Sequence, residues 1–186
     1  MESKKYSFAD FTNIMSTLRS DQGCPWDRAQ THKSLASCLL EETCEAITAI
    51  RIYEASKSGE NLCEELGDLL MQIVLHSCIA KEEKLFTLED VIEGISEKMI
   101  RRHPHVFGND DEAKLTWAEI KTQEKKNQNI PFLEDENFMN EMYQDIFWNL
   151  LKSAEKQGAD VTKVLKSVTD RAKTAYFLDN SGQVGI

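Results

Sequence analysis

The chain is 186 residues long, with 41 % hydrophobic and 29 % charged residues and a formal net charge of −10. This composition suits one globular domain, or one domain with a helical appendage. The acidic balance excludes broad binding to nucleic acid, which requires a basic surface, but not a small nucleotide held through a metal. Because no run of ~20 apolar residues could span a bilayer and the N-terminus has no apolar leader core, we expect a cytoplasmic protein without membrane contact.

Five helices are predicted in the first two thirds of the chain, where glycine and proline are rare and apolar residues recur at helical spacing. Ser7 with Asp10, and Thr87 with Asp90, are placed as N-terminal caps of the first and fourth helices. Pro104 is expected to end the fourth. The segment between the first two helices, which contains glycine and proline, is expected to be a break. The predicted bounds are about 7–19, 31–53, 62–81, 87–103 and 112–126.

Apolar residues on one side of each of the first four helices are expected to form the core of the protein. The sets are Phe8, Phe11, Ile14, Met15 and Leu18; Leu35, Leu39, Ala46, Ile47 and Ile50; Leu66, Leu69, Leu70, Ile73, Val74 and Ile79; and Leu88, Val91, Ile92, Ile95 and Met99.

The C-terminal part of the chain is expected to be separate from these helices. Pro131 interrupts the pattern, and two more amphipathic helices follow with Gly158 between them. We therefore predict a main domain over 1–128, a helical extension over 129–178 and a flexible tail over 179–186.

Acidic residues on the second and third helices are the most informative feature of the sequence. Glu42 and Glu45 are three residues apart, as are Glu65 and Asp68, so each pair shares one helix face. The midpoint between Glu45 and Glu65 is residue 55, close to the predicted turn, so an antiparallel hairpin would bring all four carboxylates together. Their mutual repulsion predicts a bound divalent cation, and a ligand set made only of oxygen favours Mg²⁺, or Mn²⁺, over zinc or copper.

Two other interpretations compete for these acidic residues. A ferritin-like di-iron site needs Glu-x-x-His on two helices, whereas the residues three after Glu42 and Glu65 are acidic, which excludes it. A solvated helix face is the commoner role for glutamates. The apolar neighbours Leu39 and Ile47 argue against that role, because a carboxylate in apolar surroundings needs a partner.

A basic and aromatic set follows on the next two helices. Lys98 and Arg102 are four residues apart and share a face, and Trp117 and Lys121 repeat that spacing. Arginine and lysine side chains suit phosphate oxygens, and tryptophan offers a flat surface to a base or sugar. A plain surface role for these residues remains the alternative.

Five ordered motifs resemble those of the MazG family of nucleoside triphosphate pyrophosphohydrolases. The resemblance covers about residues 10–126 and implies an all-α fold of antiparallel helical hairpins, similar to a four-helix bundle, completed by dimerisation. It also implies Mg²⁺-dependent hydrolysis of NTPs or dNTPs to the monophosphate and pyrophosphate, in a homodimer or higher homo-oligomer. The motifs are GCPWDRAQTHKSL (23–35), LLEETCEAITAI (39–50), EELGDLLMQIVLH (64–76), KMIRRHPHVFG (98–108) and WAEIKTQEK (117–125).

Roles follow from this resemblance residue by residue. It assigns the metal to the four carboxylates named above, and to Glu41 the role of base or outer ligand. The residues it associates with substrate are Lys98, Arg102, Trp117, Lys121 and, in the GCPWD segment, Trp26 with Asp27 and Gln30.

The chain departs from some active members of the family, which carry lysines where this sequence has Cys38 and Asn61. Two alternatives therefore remain open beside the enzyme. One is a non-catalytic helical dimer that binds nucleotide with Mg²⁺, or a partner protein. The other is a related pyrophosphohydrolase acting on another phosphoanhydride, such as a modified nucleotide or phosphoribosyl-ATP.

Overall fold

A computed structural model describes residues 5–108, 117–127 and 135–177, and all secondary structure in these ranges is helical. The all-α prediction is confirmed. The predicted start of the fifth helix at 112, the interruption at Pro131 and the tail over 179–186 lie outside the described residues. The helices are α1 (Phe8–Leu18), α2 (Pro25–Arg28), α3 (His32–Ser56), α4 (Glu60–Glu82), α5 (Leu88–Arg102), α6 (Pro104–Phe107), α7 (Trp117–Asn127), α8 (Glu136–Lys156) and α9 (Val161–Phe177).

Side-chain caps fix where the main helices begin. Ser7 Oγ accepts from the amide of Asp10 at 3.1 Å, and Asp10 Oδ2 accepts from the amide of Ser7 at 2.9 Å. The same reciprocal capping box joins Thr87 and Asp90 at the start of α5, so both predicted caps are confirmed. Before Pro104, α5 ends at Arg102, as predicted.

The antiparallel hairpin of α3 and α4 forms the centre of the fold, with α1 and α5 packed on α4. Lys57 ends α3 in the left-handed conformation (φ 60°), and α4 starts three residues later. The buried core lies at the end of the hairpin that is distant from this turn. It consists of residues from α3 and α4 and one residue from α1. Its buried members are Met15, Leu35, Val74, Leu75 and Ile79.

A large part of the predicted core is exposed instead. In α4, Leu66 is 52 % and Ile73 is 46 % exposed, and in α3, Ile47 is 51 % exposed. The prediction was wrong for these residues because one chain supplies too few helices to cover both sides of the hairpin. An apolar face of this extent usually marks an interaction surface. Other members of the predicted core that are exposed are Phe8, Ile14, Leu39, Ile50, Leu70, Val91, Ile92 and Ile95.

A buried arginine connects α1 to α4 and to the segment that precedes α3. Arg19 is 7 % exposed, and its Nε and Nη2 donate to the carboxylate of Glu82 at 2.8 and 2.6 Å. Its Nη1 donates to the carbonyl oxygen of Asp27 at 2.6 Å. Hydrogen bonding to Arg19 lowers the pKa of Glu82, so the pair stays charged at neutral pH.

The segment that we predicted as a simple break contains the short helix α2, which begins at Pro25. Proline suits the first position of a helix because the missing N–H needs no partner there. Gly23 is required just before it, since a Cβ at this position would lie 2.2 Å from the carbonyl oxygen of Leu18. The chain therefore turns tightly enough to place the carbonyl of Asp27 on Arg19.

The described residues after 138 form a compact unit separate from the described residues before it. The described part of this unit comprises most of α8 and all of α9, and Leu151 and Ser153 on α8 are buried. The predicted domain boundary at 128/129 stays a prediction. No described helix has both the length and the apolar character needed to cross a membrane.

Two histidines join the start of α3 to α4. The rings of His32 and His76 stack with centroids 5.0 Å apart, and their Nδ1 atoms lie 2.7 Å apart. One of these nitrogens must lack a hydrogen, so the contact needs at least one neutral ring. Burial, and then the neighbouring charge of His32, lower the pKa of His76. His32 Nε2 also lies 3.8 Å from Glu83 Oε2.

We expect the free energy of unfolding to fall as the pH drops below about 6.5, the ordinary histidine pKa. Unfolded His76 binds a proton there, whereas folded His76 has a lowered pKa and resists it, so acid favours the unfolded chain. Urea unfolding followed by circular dichroism between neutral and mildly acidic pH measures this loss. His76→Gln should flatten the pH dependence, while His105→Gln, at an exposed position of α6, should not. Equal slopes in both variants would contradict the assignment.

Candidate metal and phosphate site

Glu42, Glu45 and Glu65 converge between α3 and α4. One carboxylate oxygen from each lies within 4.8 Å of the corresponding oxygens of the other two, and all three side chains are half-buried. The three-residue spacing on α3 places its two glutamates on the face that meets α4. The structure thus brings together three of the four carboxylates that the sequence grouped.

The fourth carboxylate, Asp68, lies outside that close group but near enough for its charge to raise the pKa of Glu42. Burial raises the pKa of Glu42 above its ordinary value, and the charge of Asp68 is the next largest cause. Glu45, Glu65 and Glu41 raise this pKa further, in that order. The charges of the other four predicted acidic residues therefore all affect Glu42, which is partly withdrawn from water.

Asn61, which the sequence marked only as a missing lysine, contacts this cluster. Its Nδ2 donates to Glu65 Oε1 at 2.8 Å from one turn earlier on α4. An amide fixes the orientation of a carboxylate without neutralising its charge. The departure from lysine thus leaves the cluster more negative while holding one of its members in place.

The carboxylate cluster fits a hard divalent cation. Its donors are all oxygens, and opposite ligands of Mg²⁺ at ~2.1 Å stand ~4.2 Å apart, similar to the spread seen here. Burial is the largest cause of the raised pKa of Glu42, and the charges of four neighbouring carboxylates raise it further. The donor chemistry suits Mg²⁺ or Mn²⁺ equally.

The predicted basic and aromatic residues assemble where α5 meets α7. The guanidinium carbon of Arg102 lies 5.3 Å from the ring centroid of Trp117, and Lys121 Nζ lies 4.8 Å from it. Both are cation–π distances. Lys98 is half-buried one turn before Arg102 on α5. Three of the four predicted residues therefore make one stacked group, with Lys98 on the adjoining turn.

Two further members of this group, Glu124 and Arg101, were not predicted from the sequence. Glu124 Oε2 accepts from Nε and Nη2 of Arg102 at 2.9 and 2.5 Å, while its Oε1 accepts from Nε and Nη2 of Arg101 at 2.8 and 2.6 Å. These hydrogen bonds, those from Arg102 first, lower the pKa of Glu124. The available signal was spacing, because Glu124 lies seven residues after Trp117 and therefore on the same helix face.

The GCPWD segment contributes mainly to folding in the structure. Trp26 is 62 % exposed on α2, and its carbonyl accepts from Gln30 Nε2 at 3.0 Å. The carbonyl of Asp27 holds Arg19, as described above. The role of Trp26 in binding substrate remains a prediction.

His103 caps the end of α5. Its Nδ1 lies 2.7 Å from the carbonyl oxygen of Met99, a distance at which Nδ1–H donates to it. This bond satisfies a carbonyl that the helix end would otherwise leave without a partner. It supports a structural role for His103.

The sequence of the chain is similar to a known protein family and to several known proteins. Residues 30–107 match the model of the MazG nucleotide pyrophosphohydrolase domain. Over 119 residues the chain is 50 % identical to the nucleoside triphosphate pyrophosphohydrolase/pyrophosphatase MazG of Thermotoga maritima, covering 63 % of this chain and 45 % of that protein. Over 118 residues it is 43 % identical to the nucleoside triphosphate pyrophosphohydrolase of Escherichia coli K12, covering 60 % and 43 % respectively.

A third relative shares the same region within a longer protein. Over 125 residues the chain is 43 % identical to YabN of Bacillus subtilis, covering 64 % of this chain and 25 % of that protein. The match therefore spans less than half of each of these three relatives. The carboxylate cluster falls entirely inside residues 30–107.

We expect Glu42→Gln to stabilise the metal-free protein and to weaken its binding of Mg²⁺. The amide keeps the side-chain volume but removes a negative charge that burial and the neighbouring carboxylates make unfavourable, as the raised pKa of Glu42 indicates. Urea unfolding with and without Mg²⁺, with calorimetric titration of the metal, measures both effects. Glu93→Gln, at an exposed position of α5, is the matched control. An equal response to Mg²⁺ in the two variants would remove Glu42 from the site.

Proposed function

We propose that this chain, whose residues 30–107 match the model of the MazG nucleotide pyrophosphohydrolase domain, hydrolyses nucleoside triphosphates to the monophosphate and pyrophosphate with Mg²⁺. The observation that supports this most directly is the convergence of three carboxylates within 4.8 Å between α3 and α4. The names of its relatives in Thermotoga maritima and Escherichia coli point to the same reaction. Both NTPs and dNTPs are candidate substrates.

In this proposal Glu42, Glu45, Glu65 and Asp68 hold Mg²⁺, with Mn²⁺ as a substitute. When bound, the metal supplies charge that offsets the triphosphate and lowers the pKa of coordinated water. The carboxylates provide that binding, and Asn61 keeps Glu65 oriented toward the cluster. Removing any one ligand weakens a site in which every donor is an oxygen.

Glu41 is the carboxylate best suited to take the proton from the attacking water. It is half-buried and close enough for its charge to raise the pKa of Glu42, yet it lies outside the group that holds the metal. A base must lie within hydrogen-bond reach of the water and keep a lone pair free of the metal. Glu45, the other candidate, belongs to the metal-binding group.

The basic group of α5 and α7 binds the phosphates in this proposal. Arg102 and Lys121, held over Trp117, and Lys98 on the adjoining turn neutralise the charge that develops on the pyrophosphate leaving group. Trp117 serves mainly to hold these cations, since both stack on it. The exposed ring of Trp26 is available to a base or sugar.

A second copy of the chain is the proposed partner of the exposed apolar face. Ile47, Leu66 and Ile73 lie on the two helices that carry the carboxylates, and each is about half exposed. A homodimer, or a higher homo-oligomer, would bury this face and complete the helical bundle that the family resemblance implies.

The proposed role of the enzyme is removal of unwanted nucleotides from the cytoplasmic pool.

A non-catalytic nucleotide-binding dimer is the second candidate. The observation that favours it is Asn61, which contacts Glu65 where some active members of the family carry a lysine. Binding of Mg²⁺ and nucleotide would then stabilise the fold without turnover. The third alternative is a pyrophosphohydrolase that acts on another phosphoanhydride. Assaying hydrolysis of a panel of substrates that includes modified nucleotides and phosphoribosyl-ATP distinguishes it from the first two.

Incubation with NTPs and Mg²⁺ should release pyrophosphate rather than orthophosphate, as resolved by ion chromatography. Asp68→Asn should lower the rate by at least ~10-fold, the smaller loss typical when a group supporting a metal site is removed. Glu93→Gln should keep the wild-type rate. Unchanged turnover in a folded Asp68→Asn protein would eliminate the assigned site. Stabilisation by NTP and Mg²⁺ without any product would instead favour the binding dimer.

We expect Ile73→Lys to convert a dimer to a monomer, because it places a charge in the apolar face of α4. Size-exclusion chromatography with light scattering measures the molar mass. Leu85→Lys, at a 64 % exposed position just after α4, is the matched control and should leave the mass unchanged. A monomeric wild-type chain would contradict the proposal.

A further inference from the structure

Glu124 on α7 binds two adjacent arginines of α5 through its two carboxylate oxygens. The side chains of Glu124 and Arg102 are 16 % and 14 % exposed, whereas that of Arg101 is 52 % exposed. We propose that Glu124 is a positioning residue, which holds the guanidinium of Arg102 ready for a phosphate of the substrate. This inference rests on the proposed function, in which Arg102 binds phosphate.

The bonds to Glu124 leave the phosphate-binding end of Arg102 available. Glu124 accepts from Nε and Nη2, on one edge of the guanidinium. A guanidinium carries five N–H groups, so both on Nη1 and the second on Nη2 remain for another acceptor. Among the described residues, no hydrogen bond of Arg102 other than those to Glu124 is found. Two parallel donors at the free end suit a phosphate oxygen pair.

Trp117 restrains the same guanidinium from a second direction. The plane of its ring lies under Arg102, at 5.3 Å from the guanidinium carbon to the ring centroid. On α7, Trp117, Lys121 and Glu124 are spaced by four and three residues and thus share the face toward α5. Arg102 is therefore held at one edge by a carboxylate and at one face by an aromatic ring, which fixes its orientation.

The charges of the group explain why Glu124 orients Arg102 without cancelling the site. One carboxylate is shared between Arg101 and Arg102, and Lys98 and Lys121 lie nearby on the same two helices. These five side chains together carry a net positive charge, which suits a triphosphate. The two arginines lower the pKa of Glu124, so the carboxylate stays ionised. Without it, two adjacent guanidinium groups would repel each other and Arg102 would lose its fixed direction.

Binding of inorganic tripolyphosphate to the full chain, measured by calorimetry, tests this role independently of turnover. Glu124→Gln should weaken binding about tenfold, the lower end of what a charge-assisted hydrogen bond contributes. Glu124→Asp keeps the charge and should keep most of the affinity. Glu119→Gln, at an exposed position of the same helix, removes the same charge and should not weaken binding. Circular dichroism confirms that each variant folds.

A double-mutant cycle shows whether Glu124 acts through Arg102. In an Arg102→Gln background, Glu124→Gln should cause no further loss, since the group that it orients is gone. Equal losses in both backgrounds would overturn the inference. Tighter binding by Glu124→Gln would overturn it as well, because the carboxylate would then compete with phosphate, and so would a wild-type chain that binds no tripolyphosphate. If tripolyphosphate binds and Glu124 is coupled to Arg102 but no pyrophosphate is released from NTPs, the proposed function is wrong and the positioning role of Glu124 still holds.

Discussion

The antiparallel packing of α3 against α4 in a single register is the constraint on which the rest of the structure depends. At one end Leu35 is buried with Val74 and Leu75, and this contact fixes how far the helices can slide. Burying each such side chain contributes roughly 1.5–3 kcal/mol. The same register places Glu42 and Glu65 together near the turn, where their charges repel. A shift of one turn would separate the carboxylates but would break the buried contacts, so packing at one end maintains the crowding at the other.

The two ends of this hairpin differ in how their helices are held. The end distant from the turn has large buried side chains and the charged bridge of Arg19, whereas the carboxylate end buries only small residues, Ala46 and Ala49, on α3. Small residues allow the helix backbones to approach, which brings carboxylates from both helices within reach of one ion. The apolar side chains of Ile47 and Leu66 on the same two helices are about half exposed.

Two arginine–glutamate pairs of the same side-on geometry serve different purposes. Arg19 and Glu82 are 63 residues apart, and the buried arginine also donates from Nη1 to backbone carbonyl oxygens. That pair stabilises the junction of α1, α4 and the segment before α3. Arg102 and Glu124 are 22 residues apart, and among the described residues Nη1 of Arg102 makes no hydrogen bond. The same kind of ion pair can therefore stabilise the fold or orient an arginine for a ligand, depending on what surrounds the arginine.

The sequence by itself determined the features that depend on local spacing. Helix periodicity, the caps at Ser7 and Thr87, and the three- and four-residue spacing of the acidic and basic residues all follow from the geometry of one helix. Contacts between distant segments could not be read this way, because helical periodicity shows that a face is apolar but not whether another helix covers it. Tertiary structure alone decided which apolar residues stay exposed, and it paired residues far apart in the chain. The contacts it decided are Arg19 with Glu82, His32 with His76, and Glu124 with both arginines.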